Sequence, residues 1–223
     1  MSLYEVRAVS YRYSGNGHAV PALADVDLDV HAGEFLAIAG PSGSGKTTLL
    51  NLLGLLHAAD AGTIRLDGRD VSTLVERERT RLRRERIAFV FQSFNLIPVL
   101  TAYENVEYVL LTRPLPSAER RRRTLAALAA VGIVDLAGRR PQRMSGGQQQ
   151  RVAVARALVR GVGVVLADEP TAALDQATGR AVMDLLKRLN RDRGIAFVFS
   201  THDPRILAAA DRVVHLADGR IAS

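Results

Sequence analysis

Four short apolar runs restrict the fold more than any other feature of the chain. Glu34 to Ala39 (EFLAIA), Ile87 to Phe91 (IAFVF), Val162 to Ala167 (VGVVLA) and Ile195 to Ser200 (IAFVFS) show no alternation between apolar and polar positions. A strand wetted on one face alternates with period two, whereas a strand covered on both faces does not. The runs therefore read as central strands of a parallel sheet, which needs helices or a second layer on each face. Helical spacing occurs where such covers are required, over Lys46 to His57, Thr73 to Glu85 and Ala177 to Arg191. The expected class is an α/β layered sheet.

The remaining segments depart from that alternation in two places. Ala22 to Val30 (ALADVDLDV) does alternate, the pattern of a half-exposed antiparallel strand, so the chain opens on a small β-region. Between Phe91 and Val162 no strand pattern appears, and Tyr103 to Leu111, Ala118 to Val131 and Gln148 to Val159 are helical in spacing, punctuated by Pro98, Pro114, Pro116 and Pro141. Residues 1–223 are thus expected to form one unit, with an α/β core over about 1–92 and 159–223 and an inserted α-helical subdomain over about 93–158. Arg212 to Ile221 reads as a terminal hairpin turning at Ala217-Asp218-Gly219.

Composition excludes some classes of protein. No stretch approaches the roughly 20 apolar residues that span a bilayer. The first residues lack the basic start and apolar core of a secretory signal, and there is no cysteine, so a reducing cytosol is the expected compartment. The net charge of +7 raises nucleic acid as a partner. The excess is concentrated in Arg77 to Arg86 and Arg120 to Arg123, on what read as solvated helix faces, so no nucleic acid is expected. Of the 30 basic residues only Lys46 and Lys187 are lysine. An arginine-favouring chain that places a lysine at position 46 asks for a reason.

The motif around that lysine supplies one. Gly40-Pro-Ser-Gly-Ser-Gly-Lys46-Thr47 fits G-x-x-x-x-G-K-[ST] and lies between a buried strand and a helix. Its glycines let consecutive backbone N–H groups and a helix N-terminus converge on a phosphate. Gly40, Ser42, Gly43, Ser44, Gly45, Lys46, Thr47 and Thr48 are therefore the nucleotide-binding candidates, with Lys46 on the β- and γ-phosphates, the Thr47 hydroxyl on Mg²⁺ and Thr48 near the α-phosphate. A compact ammonium fits within a ring of amides, and a planar guanidinium is too large for it.

A second piece of chemistry ends another buried strand: Val164-Val-Leu-Ala-Asp168-Glu169, beyond the carboxyl ends of the sheet, where such folds bind ligands. Asp168 is the expected Mg²⁺ partner and Glu169 the expected base for the attacking water. Then Met144-Ser145-Gly146-Gly147-Gln148 offers a hydroxyl, backbone N–H groups and a positive dipole end to another phosphate. One nucleotide does not need two cradles. A second one makes sense if it serves the nucleotide of another copy in a head-to-tail, two-fold pair.

With these residues in place the chain resembles, over essentially its whole length, the nucleotide-binding domains of ABC proteins, a branch of the P-loop NTPases. MSGGQ is similar to the family signature, with Met144 where leucine is usual. The resemblance implies a Q-loop glutamine at Gln92 that senses Mg²⁺ and the attacking water, a D-loop at Ala173-Leu174-Asp175 whose Ala173 lacks a common hydroxyl, a switch histidine at His202 on the γ-phosphate, and an adenine-stacking aromatic at Tyr13, with Tyr11 as its competitor. It further implies an ATPase using ATP and Mg²⁺, closing as a dimer in which Ser145, Gly146, Gly147 and Gln148 of one copy meet the nucleotide of the other. A separate membrane permease is the implied partner, with the chain peripheral on the cytoplasmic face of the inner membrane. The stretch Phe91 to Val106 is most similar to the group serving lipoprotein release, macrolide export and mechanotransmission. Phe94, Leu96, Ile97, Pro98 and Leu100 either line a groove for a partner's coupling helix or pack the helical lobe. A DNA-associated ATPase, a translation factor and a non-hydrolysing regulatory module are the rival readings. They are disfavoured by the lack of coiled-coil arms, of a tandem second domain, and by intact Glu169 and His202, respectively.

Overall fold

The computed structural model describes residues 2–15 and 18–222. Two long strands open it, β1 (Ser2–Gly15) and β2 (His18–His31), paired antiparallel. There follow β3 (Phe35–Ala39), α1 (Lys46–Leu53), β4 (Ala61–Leu66), β5 (Arg69–Asp70), α2 (Glu76–Arg86) and β6 (Ile87–Phe91). Helices α3 (Ala102–Glu107), α4 (Ser117–Ala130) and α5 (Gly146–Leu158) come next, separated by short 3₁₀ turns, with no strand among the described residues between β6 and β7. The chain returns through β7 (Val164–Asp168), α6 (Gln176–Arg193), β8 (Ala196–Thr201), the single turn α7 (Pro204–Leu207), β9 (Arg212–Ala217) and β10 (Arg220–Ile221).

The strands form two sheets, an antiparallel one in the order β2-β1-β4-β5 and a larger one in the order β10-β9-β3-β8-β7-β6. From β9 to β6 the larger sheet is parallel, and only β10 reverses, as the second arm of a hairpin on β9. The apolar runs lack alternation because successive residues serve two different cores. Leu36, Ile38, Val164, Leu166, Ala196 and Val198 face a core shared with α1 and the antiparallel sheet. Phe35, Ala37, Val165, Ala167, Phe197 and Phe199 face a second core filled by α5, α6 and the inserted helices. On β2, by contrast, Leu23, Val26, Leu28 and Val30 are buried while Asp25 and Asp27 are exposed, as expected of a strand covered on one side.

Two helices depart from the sequence expectation. The helix predicted from Lys46 to His57 stops at Leu53 and is capped by Gly54, where a Cβ would sit 2.0 Å from the Phe89 Cζ, so that only glycine fits. Leu55 then turns left-handed (φ 57°) and returns its side chain to the core. The helix predicted from Thr73 begins only at Glu76, since Ser72 is tied back to β4, its hydroxyl accepting from Ile64 N at 2.7 Å. Strands β4 and β5 carry no alternation strong enough to have been predicted. The arginine-rich α2 buries no residue, and Glu76 pairs with both Arg79 and Arg83 along it. On α4, Glu119 pairs with Arg122 and Arg123 in the same way. No helix among the described residues is long and apolar enough to cross a membrane.

Candidate active site

The loop between β3 and α1 takes its shape from two glycines. At Gly40 a Cβ would lie 2.1 Å from the Leu216 carbonyl oxygen, so the loop can pass β9 there only without a side chain. Gly45 has φ 103° and backs onto the Ala22 carbonyl, where a Cβ would lie 2.6 Å away. Lys46 is 8% exposed, and its ammonium donates to the Gly40 and Pro41 carbonyls, both at 2.8 Å. The first turn of α1 thus presents free N–H groups at the mouth of a cleft of about 780 Å³.

Of the sequence-predicted residues, Ser42, Gly43, Gly45, Lys46, Thr47 and Thr48 line this cleft from the loop and α1, Gln92 from the end of β6, Asp168 and Glu169 from the end of β7, His202 from the end of β8, and Tyr13 from β1. Gly40 and the buried Ser44 sit behind the loop wall. Five segments far apart in sequence therefore meet at the cleft, four of them at the carboxyl edge of the parallel sheet. Tyr13 is 41% exposed, stands edge-on to Tyr11 at 5.0 Å between ring centroids, and shares a hydrogen bond with Thr48 Oγ1 at 3.2 Å. Only Tyr13 of the two tyrosines borders the cleft.

Polar contacts join the phosphate loop to the acid pair. The Thr47 hydroxyl donates to Asp168 Oδ2 at 2.9 Å. Behind it the fully buried Ser200 hydroxyl donates to Asp168 Oδ1 at 2.6 Å and accepts from the Glu169 backbone N–H at 2.9 Å. Glu169 has left-handed backbone (φ 47°), a conformation that costs a non-glycine residue about 1–3 kcal/mol and survives only where neighbours impose it. The turn brings its Oε1 to 2.9 Å from His202 Nδ1. Ser200 was not singled out in the sequence; the available signal was a hydroxyl ending an otherwise apolar strand beside the Asp-Glu strand.

Thr47, Gln92 and Asp168 all line the cleft and offer hydroxyl, amide and carboxylate oxygens, a set suited to Mg²⁺. No cluster of three or more His, Cys, Asp or Glu with metal-site geometry occurs among the described residues. Mg²⁺ in nucleotide sites takes most of its ligands from phosphate and water, so a sparse protein set fits it.

Ser145, Gly146, Gly147 and Gln148 do not border the cleft. Ser145 caps α5 in a capping box, its Oγ accepting from Gln148 N at 3.3 Å while Gln148 Oε1 accepts from Ser145 N at 3.0 Å. Gly147 packs on the start of α6, where a Cβ would meet the Thr178 methyl at 2.3 Å. Ala173 is exposed, and Asp175 caps α6 by accepting from Thr178 N at 3.0 Å. Beyond Gln92, Phe94 and Asn95 are left-handed (φ 60° and 48°), and both carbonyls accept from the Arg156 guanidinium of α5, that of Phe94 at 2.8 Å. Burial pushes the Arg156 pKa down. Arg156 and Gln150 of the same helix also escaped the sequence reading.

The ABC transporter family model matches residues 23–172. A macrolide export ATP-binding/permease protein of Paracoccus denitrificans is 47% identical, aligned over 99% of this chain and 33% of its own length. A pyoverdine export ATP-binding/permease protein of Pseudomonas aeruginosa is 46% identical over 99% of this chain and 33% of its own. The chain spans about one third of the length of these curated relatives. Among solved structures, the dimeric ATP-binding cassette MJ0796 bound to ADP and Pi aligns with TM-score 0.89 and 42% identity, covering 99% of this chain and 97% of that one. The cbiO1 protein of Clostridium perfringens, part of the ABC transporter complex cbiONQ, aligns with TM-score 0.92 and 30% identity over 100% of this chain and 87% of that one.

Proposed function

The chain belongs to the ABC transporter family of ATPases, and from that premise we propose that two copies close head-to-tail on two ATP molecules to drive a transmembrane permease. One observation carries the proposal. The cleft gathers Lys46, Thr47, Asp168, Glu169 and His202, while the signature residues Ser145 to Gln148 lie outside it. Each chain thus offers two complementary halves of a nucleotide site, and a two-fold pair completes two whole sites.

In this reading Lys46 exchanges the Gly40 and Pro41 carbonyls for the β- and γ-phosphates, and the α1 N–H groups hold the anion. Thr47, Asp168 and Gln92 hold Mg²⁺, which when bound neutralises charge on the phosphate oxygens. Glu169 orients the attacking water and accepts its proton, and His202, hydrogen-bonded to Glu169, steadies the γ-phosphate. Tyr13 stacks on the adenine. Ser145, Gly147 and Gln148 of the partner approach the same phosphate from across the interface. Hydrolysis removes the group that bridges the halves, and they part.

The permease is proposed as a separate membrane protein, with this chain on its cytoplasmic face. Phe94 to Leu100 is the docking segment in the proposal: Val99 is 69% exposed and Leu96 packs on the helical core, so the stretch is anchored on one side and open on the other. The macrolide export and pyoverdine export relatives support an export system within the family.

Glu169→Gln tests the reading. It should reduce turnover by about 10²–10⁴ and yield an ATP-bound dimer on size-exclusion chromatography with light scattering. Turnover at the parent rate removes the role given to Glu169. A variant that stays monomeric with saturating ATP, even beside the permease it copurifies with, removes the dimer.

A further inference from the structure

We propose that Gln150 is a positioning residue for Glu169, through which the helix that offers Ser145 to a neighbouring nucleotide also sets the base of its own site. This role presupposes the water-directing function proposed for Glu169. Gln150 lies on α5, is fully buried, and its Nε2 donates to the Pro170 carbonyl at 2.5 Å. Pro170 directly follows Glu169, the residue with φ 47°. The proline ring already fixes its own φ. A hydrogen bond that fixes where its carbonyl points also fixes its ψ, so the chain just past Glu169 has no soft torsion left. On the other side the Glu169 N–H is held by Ser200, and its carbonyl accepts from Ala172 N at 3.2 Å. The left-handed turn is thereby clamped at both ends, one clamp from the sheet and one from α5.

Packing alone does not account for an amide at this position. Gln150 Oε1 is buried with no hydrogen-bond partner among the described residues. Leucine or methionine would fill a similar volume without leaving an unpaired polar atom. The amide end that is used reaches one place, the turn that aims Glu169. Because α5 is a continuous helix from Gly146 to Leu158, a shift of its N-terminus on a partner's phosphate is carried rigidly to Gln150, and from there to Glu169. Engagement of one nucleotide then tunes hydrolysis of the other.

The test is Gln150→Leu in the full chain, with ATP turnover and thermal melting measured together. The expected result is a fall in kcat of between about tenfold and a hundredfold, with KM for ATP within about twofold of the parent. In the Glu169→Gln background the same change should leave the residual turnover unaltered, because nothing remains to be aimed. An unchanged kcat overturns the proposal, as does an equal loss in the Glu169→Gln background. Gln150→Met serves as a second, more pliable replacement, and loss of cooperative melting in both variants would also overturn it, by making the residue structural. If Glu169→Gln itself turns over normally, the water-directing role fails first; if it is inactive while Gln150→Leu is not, only the positioning role fails.

Discussion

Replacing Ser200 by alanine removes the hydroxyl that joins Asp168 to the Glu169 turn, and its consequence can be worked out from the contacts. The Glu169 N–H loses its acceptor at 2.9 Å beside a serine with 0% exposure, and an unpaired buried donor costs about 1–3 kcal/mol. Asp168 loses a donor at 2.6 Å, a charge-assisted bond of about 1.5–3 kcal/mol, but it keeps the Thr47 hydroxyl and is partly exposed, so only part of that value applies. The two together should lower the free energy of unfolding by about 2–4 kcal/mol. For a chain of this size that is a drop in Tm of about 4–16 °C. Urea titration should show an earlier midpoint with an unchanged slope, and calorimetry the lower Tm. Turnover should fall as well, since Glu169 is freed to relax from left-handed backbone, while KM for ATP changes little. A stability loss below about 0.5 kcal/mol, the range of ordinary surface substitutions, would refute the idea that Ser200 holds this turn.

Two other outcomes follow from the same geometry. Tyr13→Ala should raise KM for ATP by between about fivefold and 150-fold with kcat near the parent value, since base stacking on an aromatic contributes about 1–3 kcal/mol. Tyr13→Phe, which loses only the bond to Thr48, should stay near the parent, and an unaffected alanine variant would remove Tyr13 from the site. The hydrogen bond from the Arg205 side chain, followed by that from the Arg205 backbone N–H, holds the Asp203 carboxyl down at about 2. Its folded value lies below the ordinary 3.8, so this pair's contribution to stability is complete above that value and is lost as pH falls toward 2. Carboxyl carbon shifts followed by NMR should place the Asp203 midpoint there and move it upward in Arg205→Gln; an unmoved midpoint would exclude Arg205 as the cause.

The parts of the fold that repeat a simple physical rule were legible from residues alone. The strands β3, β6, β7 and β8 announce themselves because two cores compete for alternate side chains, leaving no wet face. The phosphate loop is legible because local chain, glycine spacing and lysine choice all serve one anion. What escaped depends on partners distant in sequence. The glycine that caps α1 is required by Phe89, 35 positions beyond Gly54, and no periodicity in residues 46–57 contains that ring. Ser200 and Gln150 matter through a single oxygen or amide reaching another segment, and in sequence Ser200 only ends an apolar run while Gln150 is the last of three consecutive glutamines. Tyr13 and Tyr11 could not be separated by alternation, since they differ in what borders them and not in spacing.

Left-handed backbone at non-glycine residues is expensive, and three of its occurrences here, Phe94, Asn95 and Glu169, lie on the two loops that flank the attacking-water position in the proposed reaction. One element restrains both loops. Arg156 holds the carbonyls of Phe94 and Asn95, and Gln150 holds that of Pro170, so α5 reaches Gln92's loop with one side chain and Glu169's turn with another. The two attachments are six residues apart on the same helix, whose N-terminal end carries Ser145. A helix anchored in this way cannot shift its first turn without loading both loops. In the proposed assembly, partner binding at Ser145 and permease contact beside Phe94 would therefore act on the same helix, and the orientation of Gln92 and Glu169 is where the two inputs would meet.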